Sequence, residues 1–206
     1  MSKNIYFTAD THWNHKNIVR GVTAWSKENQ LSIRNFDTLE EHNAELIKRF
    51  NSLVKCDDVL YHLGDWSFGG HENIQKFRNQ LHCRNIHLIF GNHDQHIEPI
   101  DSPYRGCFSS CQYVKQVSLK IDSAKSGRMG KQGFFLSHYG HRVWNQLHHG
   151  VIHLYGHSHG SLPGIGRSMD VGVDTNNLYP YYLDEILDKF KNVPVNYVDH
   201  HNKDTN

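Results

Sequence analysis

The sequence predicts a single α/β domain, and three observations support that fold class. In the first half of the chain, short apolar runs alternate with amphipathic helical patterns, an order typical of parallel strands joined by right-handed crossovers. The second half holds further strand-like runs with little helical pattern between them, so a purely parallel sheet is not expected. The length of 206 residues fits one domain, which we place at residues 1–198, followed by a polar tail at 199–206.

Five apolar runs have the length and the bounding residues of buried strands. Each is too short for a helix, and unbroken apolarity suits strands that are covered on both faces. Residues 117–121 alternate apolar and polar side chains and predict a half-exposed strand, and Met169–Val173 is a further candidate. The five runs are Ile5–Thr8, Val59–Leu63, Ile86–Phe90, Phe134–Ser137 and Val151–Tyr155.

Three helices are predicted from apolar residues spaced three or four positions apart. The first follows Asp37, a favourable N-cap residue, with Glu40 three positions later as in a capping box. Leu46, Phe50 and Leu53 fall on its inward face. The other two helices are expected over Glu72–Leu81 and Leu183–Phe190.

Composition and charge exclude several classes of function. Lys and Arg total 22 against 21 for Asp and Glu, so the net charge of +1 gives no bulk attraction for a polyanion. No run approaches the ~18 apolar residues of a membrane span. The N-terminus lacks the apolar core of a signal peptide, and the four cysteines form no CxxC pair. We therefore expect a cytoplasmic protein with reduced thiols.

Histidine is unusually frequent, at 18 of 206 residues, and it is the commonest metal ligand in proteins. Polar residues follow the ends of all five buried runs. Because ligands bind outside the carboxyl ends of strands in open α/β sheets, we expect these residues to converge. We call seven of them the candidate ligands: Asp10, His12, Asp65, Asn92, His138, His157 and His159.

This mixed set of oxygen and nitrogen donors predicts the kind of metal. Without a thiolate it suits Mn²⁺, Fe, Zn²⁺ or Ni²⁺ better than Ca²⁺ or Cu(I). Seven ligands exceed what one tetrahedral ion needs and suit two divalent ions that share a carboxylate. We expect Mn²⁺ first among these metals.

The candidate ligands lie in five motifs that together resemble those of the calcineurin-like metallophosphoesterases, with a first motif similar to that of small bacterial and phage members. The motifs are Asp-Thr-His at 10–12, Gly-Asp at 64–65, Gly-Asn-His-Asp at 91–94, His138, and Gly-His-Ser-His at 156–159. They span about three quarters of the chain. The resemblance implies a sandwich of two mixed β-sheets flanked by helices, with the site at the C-terminal ends of the strands.

The resemblance also implies a role for each residue. One ion would be held by Asp10, His12 and His159, the other by Asn92, His138 and His157, with Asp65 bridging the two. His93 would face the substrate as a general acid, and Asp94 would orient it. The implied reaction is hydrolysis of a phosphodiester or phosphomonoester by a hydroxide held between the ions. We expect a phosphodiesterase rather than a phosphatase, acting on a nucleotide-like substrate.

Six further residues are candidates for substrate contact. An aromatic residue directly after a candidate ligand could stack on a nucleobase, although packing beneath the ligand loops is the favoured interpretation. Guanidinium groups match phosphate oxygens and could bind a second phosphate. His15 follows the first ligand loop. The six are Trp13, His15, Arg34, Trp66, Tyr139 and Arg142.

Two other functions stay open from the sequence. A metal-dependent nuclease acting on DNA or RNA would use the same ion pair, although no long basic groove is visible. A non-enzymatic binding module on the same fold is less favoured, because such a module can dispense with the ligands or the acid and this chain keeps both.

Overall fold

The protein is described by a computed structural model that covers residues 3–22, 32–121 and 130–195. The tail expected at 199–206 lies outside these residues. Within them the chain forms two mixed β-sheets and three α-helices, in agreement with the α/β class. The strands are β1 (Ile5–Thr8), β2 (Val59–His62), β3 (Asn85–Ile89), β4 (Ser110–Gln112), β5 (Val114–Ile121), β6 (Gly130–Ser137), β7 (Ile152–Tyr155), β8 (Ser168–Asp170) and β9 (Tyr181–Tyr182). The helices are α1 (Leu39–Leu53), α2 (His71–Gln80) and α3 (Leu183–Lys189).

The first sheet has the strand order β4-β3-β2-β1-β9. Strands β1 to β4 are parallel, with Ile5 opposite Val59 and Leu60 opposite Ile86, and β9 runs antiparallel to β1. The second sheet has the order β5-β6-β7-β8, in which only the β5–β6 pair is antiparallel. Neither sheet is purely parallel, as the second half of the sequence predicted.

Alternate residues of the first sheet face two different hydrophobic cores. Tyr6 belongs to a core that includes Phe50 of α1 and Phe77 of α2. Phe7 belongs to a second core, between the two sheets, with Phe134 and Leu154. Covering both faces of these strands explains why they are unbroken apolar runs in the sequence. The layers place the carboxyl ends of β1, β2, β3, β6 and β7 at one edge of the molecule.

The start of α1 differs from the sequence prediction by one residue. Its N-cap is Thr38 and not Asp37, because the Thr38 hydroxyl accepts from the Glu41 backbone N–H (3.1 Å) and the Glu41 carboxylate accepts from the Thr38 N–H (3.2 Å). Leu53 is 39% exposed, so its predicted inward position is wrong. The buried face holds His42, Asn43, Leu46 and Phe50, and the Asn43 side-chain oxygen accepts from the Asn14 N–H in the loop after β1 (3.0 Å).

Two short strands, β4 and β9, were not predicted, because three and two residues carry no usable periodicity. No helix in the described ranges is both long and apolar enough to cross a bilayer.

Candidate functional site

All seven candidate ligands lie in loops at the same edge of the two sheets. Asp10 and His12 follow β1, Asp65 follows β2, Asn92 follows β3, His138 follows β6, and His157 and His159 follow β7. Residues from both sheets therefore meet at one place, although they span about 150 positions of the chain.

The Asp65 carboxylate lies between two imidazoles. Its Oδ2 is 3.3 Å from His12 Nε2 and 3.5 Å from His138 Nε2. Asn92 extends the cluster, since its Oδ1 is 3.1 Å from His138 Nε2 and 2.9 Å from His157 Nδ1. These distances place Asp65 where one carboxylate could serve two adjoining sets of donors.

Three overlapping groups of side chains in the described residues could each hold a metal ion, with donor atoms within 4.8 Å of one another. The first has the same members as one predicted set, the third shares His138 and His157 with the other, and the middle one includes His93. The groups are Asp10, His12 and His159; His12, Asp65 and His93; and Asp65, His138 and His157.

The electrostatics of the cluster suit a bound cation. Burial raises the pKa of Asp10 well above its usual value, and the nearby carboxylates of Asp65 and Asp170 raise it further. Burial lowers the pKa of His12 well below its usual value, and its Nδ1 has no hydrogen-bond partner among the described residues. A divalent cation favours an ionised carboxylate and a neutral imidazole, which are the donor forms of these groups. The residues present therefore fit a metal centre.

The imidazoles of two candidate ligands are oriented by a hydrogen bond from Nδ1. His159 Nδ1–H donates to Asp174 Oδ2 (2.6 Å), and His138 Nδ1–H donates to the Leu63 carbonyl (2.7 Å). Each bond fixes the tautomer that leaves Nε2 free to bind a metal, as is usual for metal-binding histidines. These hydrogen bonds orient the two rings without a bound ion.

The backbone at the site is strained. Nine non-glycine residues in the described ranges have positive φ, and five of them are candidate ligands. Such conformations cost about 1–3 kcal/mol each and cluster at functional sites. The five are Asp10 (φ 55°), His12 (φ 43°), Asp65 (φ 58°), His157 (φ 66°) and His159 (φ 47°).

Two motif glycines allow the ligand loops to touch. A Cβ on Gly91 would collide with Asp65 Oδ1, and a Cβ on Gly156 would collide with the Ala9 Cβ and with Asp10 Oδ2. Glycine is therefore required at these positions by close approach of the neighbouring loop.

Arg34 lies behind the cluster and is completely buried. Its guanidinium donates to both oxygens of Asp174 (2.6 and 2.7 Å) and to the carbonyls of Asp10 and Thr11. Burial would raise the pKa of Asp174, but Arg34 and His159 hold it well below its usual range. The expectation that Arg34 binds a second substrate phosphate is wrong, because all its contacts are internal.

Asp174 was missed by sequence reasoning. It comes directly after the candidate strand Met169–Val173, so the strand-end pattern that gave the candidate ligands could have indicated it. Its partner Arg34 is 140 positions away, and nothing local in the sequence indicates that pairing.

His93 and Asp94 lie in the loop after β3. The His93 backbone N–H donates to Asp65 Oδ1 (2.9 Å), and its ring meets the His12 ring edge-on at 5.2 Å between centroids. The Asp94 carboxylate does not contact the His93 imidazole, so the prediction that it orients His93 is wrong. It accepts instead from the backbone N–H groups of Asp65, Trp66 and Gly91 (2.8–3.0 Å). Asp94 therefore ties the two ligand loops together.

The remaining substrate candidates divide by exposure. Trp13 stacks on Phe77 and Trp66 is fully buried, so both pack beneath their loops and neither is placed to stack on a base. Tyr139 is exposed and meets the His157 ring edge-on (4.7 Å). The other two lie near the surface: His15 stacks on Phe68 (3.8 Å), and Arg142 borders a small apolar cleft.

Comparisons with known sequences give distant relatives. No family model matches the chain. An uncharacterised protein of Methanocaldococcus jannaschii is 35% identical over 95 residues, which cover 45% of this chain and 48% of that protein. The match thus spans about half the length of that relative. The gene 66 protein of Mycobacterium phage L5 is 26% identical, over 77% of this chain and 79% of its own.

Solved structures show the fold. A protein of unknown function from Aquifex aeolicus aligns with a TM-score of 0.63 and 18% identity, over 91% of this chain and 99% of its own. The two proteins share a fold. An archaeal phosphodiesterase aligns with a TM-score of 0.42 and 20% identity over 82% of each chain, a likeness too low to carry an argument about function.

Proposed function

We propose that this protein is a dinuclear metal-dependent phosphoesterase with a calcineurin-like fold. We favour a phosphodiesterase that acts on a nucleotide-like substrate. The observation that carries the proposal is the Asp65 carboxylate between His12 and His138, with further nitrogen and oxygen donors on each side.

The donors divide into two sets around Asp65. Asp10, His12 and His159 would hold one ion, and Asn92, His138 and His157 the other, with Asp65 shared. When bound, a pair of divalent ions supplies a water nucleophile near neutral pH and draws charge from the phosphoryl oxygens.

His93 would protonate the leaving oxygen. It lies beside His12 in the middle donor group, and its backbone N–H donates to Asp65 Oδ1, which fixes its loop relative to the proposed bridging carboxylate. Its ring also contacts Phe68 edge-on, with 5.4 Å between the ring centroids. General acid catalysis of this kind contributes roughly 10²–10⁴-fold to a rate.

A metal-supplemented substrate panel tests the proposal. The purified chain is incubated with EDTA or with Mn²⁺, Fe²⁺, Zn²⁺ or Ni²⁺, and release of product is followed from bis-p-nitrophenyl phosphate, p-nitrophenyl phosphate, cyclic nucleotides and short oligonucleotides. We expect metal-dependent hydrolysis that is faster for the diesters than for the monoester. Hydrolysis of oligonucleotides alone, lost steeply as salt rises, would favour the nuclease. No hydrolysis with any metal would contradict the proposal.

A further inference from the structure

A cleft of about 150 Å³ lies beside the carboxyl ends of β6 and β7. An apolar cavity of about 150 Å³ accommodates one benzene-sized molecule, so this space fits a single six-membered aromatic ring. One wall follows the ligand His138 and the other follows the ligand His159. The lining consists of residues 140–142, Tyr155, Leu162, Pro163, Ile165 and Ser168.

The cleft is continuous with the candidate metal centre. Gly140 lies two residues after His138, and Tyr155 lies two residues before His157, so the Cα atoms of each pair are at most about 7.6 Å apart. The exposed Tyr139 borders both regions, because its ring contacts the His157 and His138 rings edge-on, with 4.7 and 5.0 Å between centroids. A group attached to a phosphate at the candidate ligands could therefore reach the cleft across Tyr139.

The walls of the cleft are fixed without a ligand. The Tyr155 hydroxyl donates to the Leu162 carbonyl (2.9 Å), and Ser168 Oγ donates to the Ile165 carbonyl (3.0 Å) and accepts from its N–H (2.9 Å). Both hydroxyl groups of the lining are thereby occupied, so the cleft presents mainly apolar surface. Leu162 and Ile165 are nevertheless 47% and 56% exposed, and neighbouring exposed apolar side chains of this kind mark interaction sites.

Gly140 keeps the cleft open. A Cβ at this position would lie 2.9 Å from Leu162 Cδ2 and 3.5 Å from the Tyr155 ring, so it would take up space between the two walls. The backbone of Gly140 is not in the left-handed region, and an alanine could adopt it without strain. The missing side chain thus provides room in the cleft and is not needed for a turn.

Arg142 supplies a cation at the rim of the cleft. It is exposed, it has no hydrogen bond or ion pair with any residue that the structure describes, and no carboxylate belongs to the lining. A guanidinium group stacks on aromatic faces and donates to carbonyl oxygens. An apolar space for one ring with a guanidinium beside it suits an aromatic ring that carries carbonyl oxygens, which is the chemistry of a pyrimidine base.

We propose that this cleft binds a pyrimidine base of the substrate, carried by the ester group that stays on the phosphate. The inference rests on the proposed phosphoesterase function and narrows its substrate class to esters of pyrimidine nucleotides. The position of the proposed acid indicates which ester group enters the cleft. His93 contacts His12, whereas Tyr139 contacts His138 and His157, so the leaving oxygen and the base lie toward different donor sets.

The reaction balances with water as the only co-reactant. The water oxygen forms a bond to phosphorus while the bond from phosphorus to the leaving oxygen breaks, and the leaving oxygen takes a proton from His93. The proton that the water loses restores His93 to its acid form by exchange with solvent. The products are an alcohol and a pyrimidine nucleoside monophosphate, whose base lies in the cleft.

Binding of thymidine tests the cleft without hydrolysis and without a metal. In EDTA we expect saturable ¹H–¹⁵N shifts at the amides of residues 140–142, and none with 2-deoxyribose, which lacks the base. Gly140→Ala should weaken thymidine binding roughly fivefold or more, because its methyl group narrows the space for the ring. Arg142→Met, at an exposed position, should also weaken it.

Gly106→Ala is the matched control for binding, because a Cβ at Gly106 meets nothing within 4 Å. No saturable shift with thymidine, equal shifts with deoxyribose, or equal affinity in the two alanine variants overturns the inference. If Gly140→Ala instead abolishes self-association in sedimentation and leaves thymidine binding unchanged, the cleft is a contact between copies of the chain, which overturns the inference as well.

Kinetics with matched esters tests the substrate class. Thymidine 5′-(p-nitrophenyl phosphate) and methyl p-nitrophenyl phosphate release the same p-nitrophenol and differ only in the ester group that remains. For the Mn²⁺-loaded enzyme we expect kcat/KM to be roughly tenfold or more higher for the thymidine ester, as base stacking would provide. Gly140→Ala and Arg142→Met should reduce that ratio, and Gly106→Ala should preserve it.

The outcomes separate this inference from the proposed function. Equal kcat/KM values for the two esters, or a loss in Gly140→Ala that is the same for both, overturn the inference and leave the proposed function intact. Thymidine binding in the cleft, with no ester hydrolysed under any metal, overturns the proposed function instead.

Discussion

Buried histidines in two regions of this molecule, His153 within β7 and the ligand cluster at the sheet edge, have opposite surroundings. His153, inside β7, is completely buried, and both of its ring nitrogens are paired with backbone: Nδ1–H donates to the Phe135 carbonyl (3.0 Å), and Nε2 accepts from the His141 N–H (2.9 Å). In the ligand cluster, by contrast, the Nε2 atoms of His12 and His138 point at the Asp65 carboxylate. The hydrogen-bonding capacity of the His153 ring is thus satisfied by backbone groups, whereas the His12 and His138 rings converge on one carboxylate oxygen.

The difference shows that burial alone does not identify a functional histidine. Burial lowers the pKa of His153 to about 4, and it also lowers the pKa of His138. What separates the two is where Nε2 points: toward a backbone N–H in His153, and toward the side chains of other candidate ligands in His138. Three predictions test this distinction.

The largest effect is expected from Asp65→Asn, which removes the carboxylate shared by both donor sets. Metal content should fall, and activity should drop further than in His93→Ala, where we expect a loss of roughly 10²–10⁴-fold with metal retained. Metal analysis and Mn²⁺-supported hydrolysis of bis-p-nitrophenyl phosphate measure both quantities. An Asp65→Asn variant with full metal content and a normal rate would show that the carboxylate is not a bridge.

A smaller effect is expected from breaking the support behind the cluster. Arg34→Met leaves Asp174 buried without its cation and should lower the free energy of unfolding by about 3–5 kcal/mol. Because Asp174 orients His159, Mn²⁺ affinity should also fall, roughly 10–100-fold.

Arg49→Met is the matched control for that prediction. It removes partly exposed contacts with Glu45, the Asn177 carbonyl and the Tyr179 ring but leaves no charge buried, so a smaller loss of about 1 kcal/mol is expected. Urea unfolding and Mn²⁺ titration of both variants make the comparison. An equal decrease in the free energy of unfolding of the two variants would mean that the buried Arg34–Asp174 pair does not stabilise the site.

The smallest effect concerns the paired histidine and depends on pH. His153 has a pKa of about 4 in the native state and about 6.5 when unfolded, so the unfolded chain takes up the proton first as pH falls. Its contribution to stability is complete above pH ~6.5 and is lost toward pH ~4, by at most about 1.4 kcal/mol per pH unit.

His153→Gln should therefore flatten the pH dependence of unfolding by up to one proton. Urea unfolding in EDTA at several pH values between 7.5 and 4.5 measures the slope, and His82→Gln, at an exposed position, is the matched control. Parallel curves for wild type and His153→Gln would mean that His153 is not held neutral by its backbone partners.

Much of the fold follows from local pattern. The buried strands were predicted within a few residues, because a strand covered on both faces must be apolar throughout. Capping was less certain, since Asp37 and Thr38 are both good N-cap residues, and the choice depends on which one reaches Glu41 or Glu40. The exposure of Leu53 could not be predicted either, because it depends on which face of α1 packs against the sheet.

By itself the sequence determined the α/β class, the five buried strands and the identity of the polar residues that follow their ends. The tertiary structure decided that Arg34 faces inward to Asp174, that Asp94 joins two loops instead of orienting His93, and that a ring-sized cleft lies next to Tyr139. The physical reason is range: periodicity and capping act over a few residues, whereas these contacts join side chains up to 140 positions apart and form only when the sheets pack.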